Sequence, residues 1–262
     1  MASVDPLSIP ATFRLDGRIA LVTGAGRGIG AETAVALGKA GAEVILLSRT
    51  RTDLDNVAQR IVECGSQATV MVCDVTDNDR LRAEIDRLGR LDILINNAGM
   101  NVPEPFVDVS EAHLDQMLAL NVRSAFLAAQ LAVRKMLQAP DRKDRGGAII
   151  NISSQMGYVG SPRRTAYCMT KHAIEGLTKA MAVELAPHNI RVNAIGPTFL
   201  ETPMTAPFLE NPQFRDWAIS RIPLGRIGKI SEVVGAIVFL ASPAASLITG
   251  ASLAIDGGWT AQ

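Results

Sequence analysis

Apolar residues along the chain gather in seven short runs separated by longer stretches of a different period. The runs are RIALVTG (18–24), AEVILLS (42–48), ATVMVCD (68–74), LDILINN (91–97), GAIINIS (147–153), IRVNAIG (190–196) and ASLAIDG (251–257). Near-continuous apolar runs of this length are the pattern of strands buried on both faces. Between them, AETAVALGKAG, TDLDNVAQRIVECG and AHLDQMLALNVRSAFLAAQLAVRKML space their apolar positions three and four residues apart, as a helix with one buried side requires. Strands that alternate with helical crossovers predict an α/β fold, a doubly wound parallel sheet of seven strands with helices on both faces. No internal repeat and no linker rich in Pro, Gly or Ser divides the chain, so residues 1–262 read as one domain. PDRKDRGG (140–147) is the one dense charge run and is expected to be a solvated loop. Residues 197–230 carry five prolines and no strand pattern, an insertion of a size that suits the cover of a pocket.

With 48% hydrophobic and 20% charged positions over 262 residues, the chain has the apolar material to fill one large α/β core, which argues against disorder. Lys and Arg number 26, as do Asp and Glu, so no excess field exists to hold nucleic acid or an anionic membrane surface. Any anion has to be bound locally. Cys64, Cys73 and Cys168 form no CxxC pair and are odd in number, which fits a reducing compartment. His113, His172 and His188 lack metal-ligand spacing, so no metal is expected. The first fifteen residues have neither a basic start nor a continuous apolar stretch, and no run reaches the roughly 18 apolar residues of a membrane span. The expected setting is the cytoplasm.

In a doubly wound sheet, ligands bind beyond the carboxyl ends of the strands, so the turns there are where chemistry is sought. The first reads TGAGRGIG, residues 23–30. Gly24, Gly28 and Gly30 let the backbone turn tightly and approach a bound group, and the amides that open the next helix face a diphosphate. Placed directly after a first strand, this is the pattern of a Rossmann-type dinucleotide site. A dinucleotide fold that prefers NAD usually ends its second strand on an acidic residue that accepts from the ribose 2′-hydroxyl. Here stand Ser48, which is neutral, and Arg49, which together with Arg27 is able to reach a 2′-phosphate. NADP(H) is therefore preferred, with NAD(H) as the second choice. Asp74, closing the third run, either accepts from the adenine amino group or caps the following helix. NNAG (96–99) fits a backbone packed on the ribose side of the nucleotide, although Asn and Gly favour any turn. Asn121 lies in a strongly helical segment, where asparagine costs roughly a few tenths of a kcal/mol, so it is either solvated or has a task.

Tyr167 and Lys171 fall at i and i+4 of a helical segment, on one face and about 6 Å apart at Cβ. A phenol with a pKa of about 10 is a sluggish acid-base group at neutral pH. An ammonium beside it is expected to stabilise the phenolate and lower that value. Ser154, at the end of the fifth run, is placed to hydrogen-bond the same substrate oxygen and hold it toward the phenol. A packed tyrosine stem beside a surface lysine explains the pair taken alone. It does not explain why the glycine turn, NNAG, Asn121, Ser154 and the pair all fall at carboxyl ends of successive strands or on the helices that follow.

With these motifs in this order, the chain resembles the short-chain dehydrogenases/reductases in their single-domain form, from about residue 14 to 260. Thr23, Gly24, Gly28, Ile29 and Gly30 match the family's nucleotide motif, and Asn96 to Gly99 its second motif. The resemblance implies Asn121, Ser154, Tyr167 and Lys171 as the catalytic set, with Lys171 also on the nicotinamide ribose and Asn121 holding a water that links Lys171 to solvent. It adds Val75, Asn97, Ala98, Gly99, Pro197, Thr198 and Thr202 to the cofactor contacts and favours the adenine for Asp74. Where the family usually has Pro-Gly, Pro197 is followed by Thr198, which questions the backbone freedom at residue 198. The implied reaction is hydride transfer between nicotinamide and a small-molecule carbonyl or secondary alcohol, with Tyr167 protonating the oxygen. Within the family the chain looks most like 3-oxoacyl-(acyl carrier protein) reductases, and then sugar or sugar-acid dehydrogenases of the gluconate type. A non-catalytic NADP(H) sensor would be expected to lack Tyr167 or Lys171, and both are present. Arg163 and Arg164 either attract a carboxylate or phosphate of the substrate or are solvated. Met204, Phe208, Leu209 and Trp217 form either an apolar lid or ordinary core. By resemblance the chain is a homotetramer with Asp256 to Trp259 near a subunit interface; taken alone, DGGW reads as a turn after the last strand.

Overall fold

A computed structural model describes residues 11–262, so most of the amino-terminal stretch in which no leader is expected lies outside the described residues. All seven apolar runs are strands: β1 (Ile19–Thr23), β2 (Glu43–Ser48), β3 (Ala68–Val72), β4 (Ile93–Asn96), β5 (Gly147–Ile152), β6 (Ile190–Pro197) and β7 (Ser252–Ile255). They pair in the order β3-β2-β1-β4-β5-β6-β7, every pair parallel. The chain winds outward from β1 to β3 and then restarts on the other side of β1 with β4. Such a reversal leaves a crevice beyond the carboxyl ends of those two strands.

The crossovers are α1 (Gly28–Lys39), α2 (Arg51–Glu63), α3 (Asn78–Asp86), α4 (Glu111–Leu118), α5 (Ser124–Leu137), the short α6 (Arg142–Arg145) and α7 (Thr165–Leu185). After β6 follow the short α8 (Ala206–Leu209), then α9 (Pro212–Ser220) and α10 (Ser231–Ala241). Alternate residues of each strand point to opposite faces, and the core divides accordingly. Ala20, Val22, Val44, Leu46, Ile93 and Ile95 pack with α1, α2 and α10 on one side. Leu21, Ile45, Leu47, Leu94 and Ile149 pack with α3, α5 and α7 on the other. The helical stretch 112–137 is not one α-helix: α4 passes into α5 through a π-helical turn, Ala119–Arg123. Turns of this wider kind recur at functional sites, and this one carries Asn121.

The insertion after β6 builds a small aromatic core of its own. Phe199 meets Phe214 edge-on at 5.4 Å, and Trp217 meets Trp259 at 5.7 Å between ring centroids. Trp259 is thus buried within the chain, while the Asp256 carboxylate accepts from the amides of Gly258 and Thr260 and from the Thr260 hydroxyl. In the single chain, DGGW is a turn fastened by its own aspartate.

The charge run 140–147 departs from the solvated loop expected of it. Arg142 is buried, and its guanidinium donates to the carbonyls of Met136 at 2.9 Å, Leu91 at 3.4 Å and Gly146. The reason is Asp92, a fully buried carboxylate at the foot of β4. It accepts from the Ile19 amide at 3.0 Å and from Arg90 Nε at 3.0 Å, and Arg18, Arg142 and Arg145 stand within 3.8 Å. A buried carboxylate needs such partners, and the run supplies two of the four arginines. This clamp ties β1, β4 and β5 together at the end of the sheet opposite the crevice. Replacing Asp92 by Ala strands the guanidiniums around a void, and urea unfolding should report a loss of about 3 to 5 kcal/mol.

Candidate active site

A cleft of about 940 Å³ opens over the carboxyl ends of the strands, walled by the turns after β1, β2, β3, β4, β5 and β6 and by residues 197–208. The turn after β1 is held by hydrogen bonds from its neighbour. Asn97 Nδ2 donates to the carbonyls of Thr23 at 2.9 Å and Gly24 at 3.2 Å, while the Asn97 and Ala98 amides donate to the Thr23 hydroxyl at 3.0 and 3.1 Å. Gly24 has φ +65°, and a Cβ there would come within 2.9 Å of Asn97 Nδ2. A Cβ on Gly30 would lie 2.3 Å from the Gly24 carbonyl oxygen. Gly30 is therefore the contact that seats α1 under the turn, and it stands behind the cleft wall, whereas Gly24, Arg27, Gly28 and Ile29 line it. Arg27 precedes α1 with an extended backbone and no side-chain cap, so the first-turn amides keep no partner from that side chain and face the cleft.

NNAG divides its labour in a way composition does not reveal. Asn96 is buried and donates to the Ala125 carbonyl and to Asn151 Oδ1, so it braces β4, β5 and α5. Asn97, Ala98 and Gly99 line the cleft, yet the Asn97 amide group is committed to the glycine turn.

At the end of β2, Ser48 Oγ is buried with no hydrogen-bond partner among the described residues, and Arg49 is exposed with Nη1 3.8 Å from Asp74 Oδ2. Asp77, not Asp74, caps α3 by accepting from the Arg80 amide. Asp74 instead accepts from the Thr76 amide at 2.9 Å and hydroxyl at 2.7 Å. Burial raises its pKa, but those two bonds and Arg49 together outweigh it and leave the carboxyl below its ordinary value. Val75 is buried beside it and lines the same wall. One acidic residue escapes the sequence reading: Asp53, in the first turn of α2, reaches the cleft next to Gly26 and Ser48. The expected place for an acid was the strand end, and Asp53 arrives a helical turn later.

At the other end of the cleft, Ser154, Tyr167 and Lys171 share one wall with Pro197, Thr198 and Thr202. Thr198 has no positive φ, so a residue other than glycine sits there without strain; its Oγ1 is buried and unpartnered. Ser154 Oγ donates to Gln155 Oε1 at 2.7 Å and accepts from the Met156 amide. Lys171 is buried, donates from Nζ to the Ile152 carbonyl at 2.8 Å, and stands 5.5 Å from the centre of the Tyr167 ring.

The expected lowering of the phenol by its neighbouring ammonium is not what this geometry gives. Burial pushes Tyr167 up to about 12, against the pull of Ser154 and Arg164. Burial also pushes Lys171 down to about 8, with Glu175 opposing. The Nζ is drawn to a carbonyl and sits by the ring, and burial disfavours the charged form of each group.

Asn121 is buried and lies behind the wall. Its Oδ1 accepts from the Met100 amide at 2.8 Å, and its Nδ2 donates to the Met100 carbonyl at 2.9 Å and the Thr170 hydroxyl at 3.1 Å. It is not solvated, and its side chain fastens the loop after β4 to α7. Of the two arginines before Tyr167, Arg163 is exposed with φ +60°, whereas Arg164 is buried in the cleft wall over the Phe208 ring. Met204 and Phe208 line the cleft, while Leu209 and Trp217 belong to the aromatic core.

The orphaned buried atoms Ser48 Oγ, Ser153 Oγ, Gln155 Nε2, Arg164 Nη1 and Thr198 Oγ1 all belong to residues of this cleft. Together with a glycine turn that a Cβ would block, they fit an elongated polar ligand with a diphosphate between two ring-bearing halves, as a nicotinamide dinucleotide is. Among the described residues no three His, Cys, Asp or Glu side chains gather as a metal would need. No helix among them is long and apolar enough to cross a membrane.

The family model described as enoyl-(acyl carrier protein) reductase matches residues 24–260. L-xylulose reductase of Bos taurus is 40% identical over 249 residues, covering 95% of this chain and 99% of that protein. The 3-oxoacyl-[acyl-carrier-protein] reductase FabG of Thermotoga maritima is 39% identical over 250 residues, covering 94% and 99%. The crystal structure of a gluconate 5-dehydrogenase from Burkholderia cenocepacia, in complex with NADP and tartrate, superposes with a TM-score of 0.90 at 36% identity, covering 96% of this chain and 98% of that one.

Both tyrosines of the chain, Tyr158 and Tyr167, are held above their ordinary value by burial, Tyr158 against the Ser252 hydroxyl. A raised pKa means that the folded protein keeps its phenol protons where the unfolded chain loses them. The associated stability is present below about pH 10 and is lost as the pH climbs toward 12. Tyrosinate absorbance at about pH 10 should accordingly be far smaller in the folded protein than in the same protein unfolded in urea.

Proposed function

The chain belongs to the short-chain dehydrogenase/reductase family, oxidoreductases acting on CH–OH groups with a nicotinamide acceptor, and from that premise we propose an NADP(H)-dependent interconversion of a ketone and a secondary alcohol. The observation that carries this reading is the convergence of Ser154, Tyr167 and Lys171 on one end of a cleft whose other end is the glycine turn. Gly24, Arg27, Gly28 and Ile29 would hold the diphosphate, Asp74 and Val75 the adenine, Asn97 to Gly99 and Lys171 the riboses, and Pro197, Thr198 and Thr202 the nicotinamide amide.

Nicotinamide, when bound, supplies or accepts the hydride. The residues of the chain handle the proton and the geometry. Tyr167, with its pKa at about 12, keeps its proton at neutral pH and offers it to a carbonyl oxygen. Ser154 holds that oxygen in reach of the phenol. Lys171, at about 8, is poised to pass a proton to Tyr167 when it is spent. Asn121 keeps the loop after β4 and α7 in register, so that the wall carrying Tyr167 is fixed.

The unpartnered Ser48 hydroxyl, with Arg27 and Arg49 beside the same end of the cleft, favours NADP(H) over NAD(H). Asp53 is the opposing charge there, which keeps NAD(H) as the second choice. Both substrate types expected from sequence, 3-oxoacyl thioesters and sugar acids, contain the required ketone or alcohol. A homotetramer in the cytoplasm, with Asp256 to Trp259 near a subunit contact, completes the proposal.

Tyr167→Phe should lower turnover of ketones by about 10² to 10⁴ while NADPH titration shows the cofactor still bound; near-normal turnover would end the reading. Arg49→Ala should raise the KM for NADPH by about tenfold and leave that for NADH within about twofold, and steady-state rates with the two cofactors separate these outcomes.

A further inference from the structure

Arg164 is 4% exposed, yet among the described residues its guanidinium lacks the partners a buried cation needs. Its Nη1 has no hydrogen-bond partner among the described residues, and no carboxylate acts on its charge; the groups that do are Tyr167, Cys168 and Arg163. The guanidinium carbon lies 4.6 Å from the centre of the Phe208 ring, which orients the plane of the fork but takes up no N–H. Elsewhere in this chain a buried arginine is fully engaged: Arg142 donates to three carbonyls and stands 3.8 Å from Asp92. Arg164 differs from it in opening onto the cleft. It sits at the start of α7, where Tyr167 is the third residue of the helix, so the two share the substrate end of the wall.

A second donor is left over nearby. Gln155 is buried, gives its Oε1 to the Ser154 hydroxyl, and leaves Nε2 with no partner in the same wall. Two unpartnered donors, one of them a cation, call for an acceptor with negative charge, and a planar guanidinium pairs two parallel N–H groups with a carboxylate. The diphosphate would lie at the glycine turn after β1, two strand positions from β5, whose crossover carries Arg164, so the cofactor's phosphates do not serve here.

We infer that Arg164 is the anchor for a carboxylate on the substrate, and that this protein acts on an oxo or hydroxy acid whose carboxylate lies a few carbon atoms from the reacting carbon. This rests on the redox reading above and narrows it. A 3-oxoacyl thioester carries no anion that near its ketone, whereas a sugar acid or a short oxo acid does. Arg164 then acts as a specificity residue: it selects charged substrates and fixes which carbon faces the nicotinamide.

Paired probes that differ only in the charge test this. With NADPH, acetoacetate should be reduced with a kcat/KM about 10 to 100 times that of methyl acetoacetate, the range of a charge-assisted pair against none. Arg164→Gln should bring the acid-to-ester ratio toward one, chiefly through the KM of the acid. Arg164→Lys should keep part of the preference, and Phe208→Leu should reduce it by a smaller factor. A wild-type preference for the ester, or an unchanged ratio in Arg164→Gln, overturns the assignment. Calorimetric titration of the NADP⁺-saturated protein with L-tartrate and D-gluconate, against D-glucitol as the uncharged control, separates binding from turnover. Binding of either acid that depends on Arg164, without reduction of any ketone, would keep the anchor and sink the redox reading. Neither acid binding in an Arg164-dependent way, with esters turned over, would do the reverse.

Discussion

Burial that little opposing charge offsets is the constraint from which the site's properties follow. The α7 end of the cleft carries two buried cations, Lys171 and Arg164, and a half-buried phenol, Tyr167; Glu175 acts on Lys171, and among the described residues no carboxylate acts on Arg164. Burial disfavours charge, so each titratable group drifts toward its neutral form: Tyr167 keeps its proton and Lys171 holds its own loosely. Arg164 has no such escape, because a guanidinium does not deprotonate in proteins, and its charge is left for a ligand to answer. One physical cause thus sets the state of three groups along two turns of a single helix: a phenol that keeps its proton, an ammonium that holds its own loosely and an unpaired guanidinium.

The opposite end of the sheet shows what the fold does with buried charge when structure alone is at stake. Asp92 is surrounded by Arg18, Arg90, Arg142 and Arg145, with a backbone amide closing the shell. Every strand-to-helix turn of function lies at one edge of the sheet and this clamp at the other. The separation follows from parallel topology, which gathers all the carboxyl ends on one side and all the amino ends on the other. Rigidity at the foot of β1, β4 and β5 fixes the height of the turns that Asn97 and Thr23 lock together above.

Much of this was legible in residue order. The alternation of apolar runs with helical spacing gave seven strands and the crossovers between them, because burial on both faces of a parallel sheet leaves little freedom in composition. The glycine turn, Ser154, Tyr167 and Lys171 were legible because each is a backbone or spacing requirement of local geometry. Asn121 and Gly30 were legible as special positions but not in their roles: one is wholly bonded to Met100 and Thr170, the other seats α1 against the β1 turn. Asp53 gave no signal, and the run 140–147 is not the solvated loop its composition suggests, since charge along a sequence says nothing about which charges end beneath other elements.

The sequence by itself determined the order and type of the elements, the edge of the sheet where chemistry collects, and the identity of the groups brought there. Those are set by periodicities and steric demands that act within a few residues of the chain. Tertiary structure alone decided the state of those groups. Whether an ammonium lowers a phenol or merely shares its dryness depends on where Nζ points and how much water remains. Whether Arg163 or Arg164 turns inward depends on a single positive φ at residue 163 and on the Phe208 ring arriving from the insertion after β6. Desolvation sums over atoms from the whole fold, and no local pattern in the chain encodes that sum.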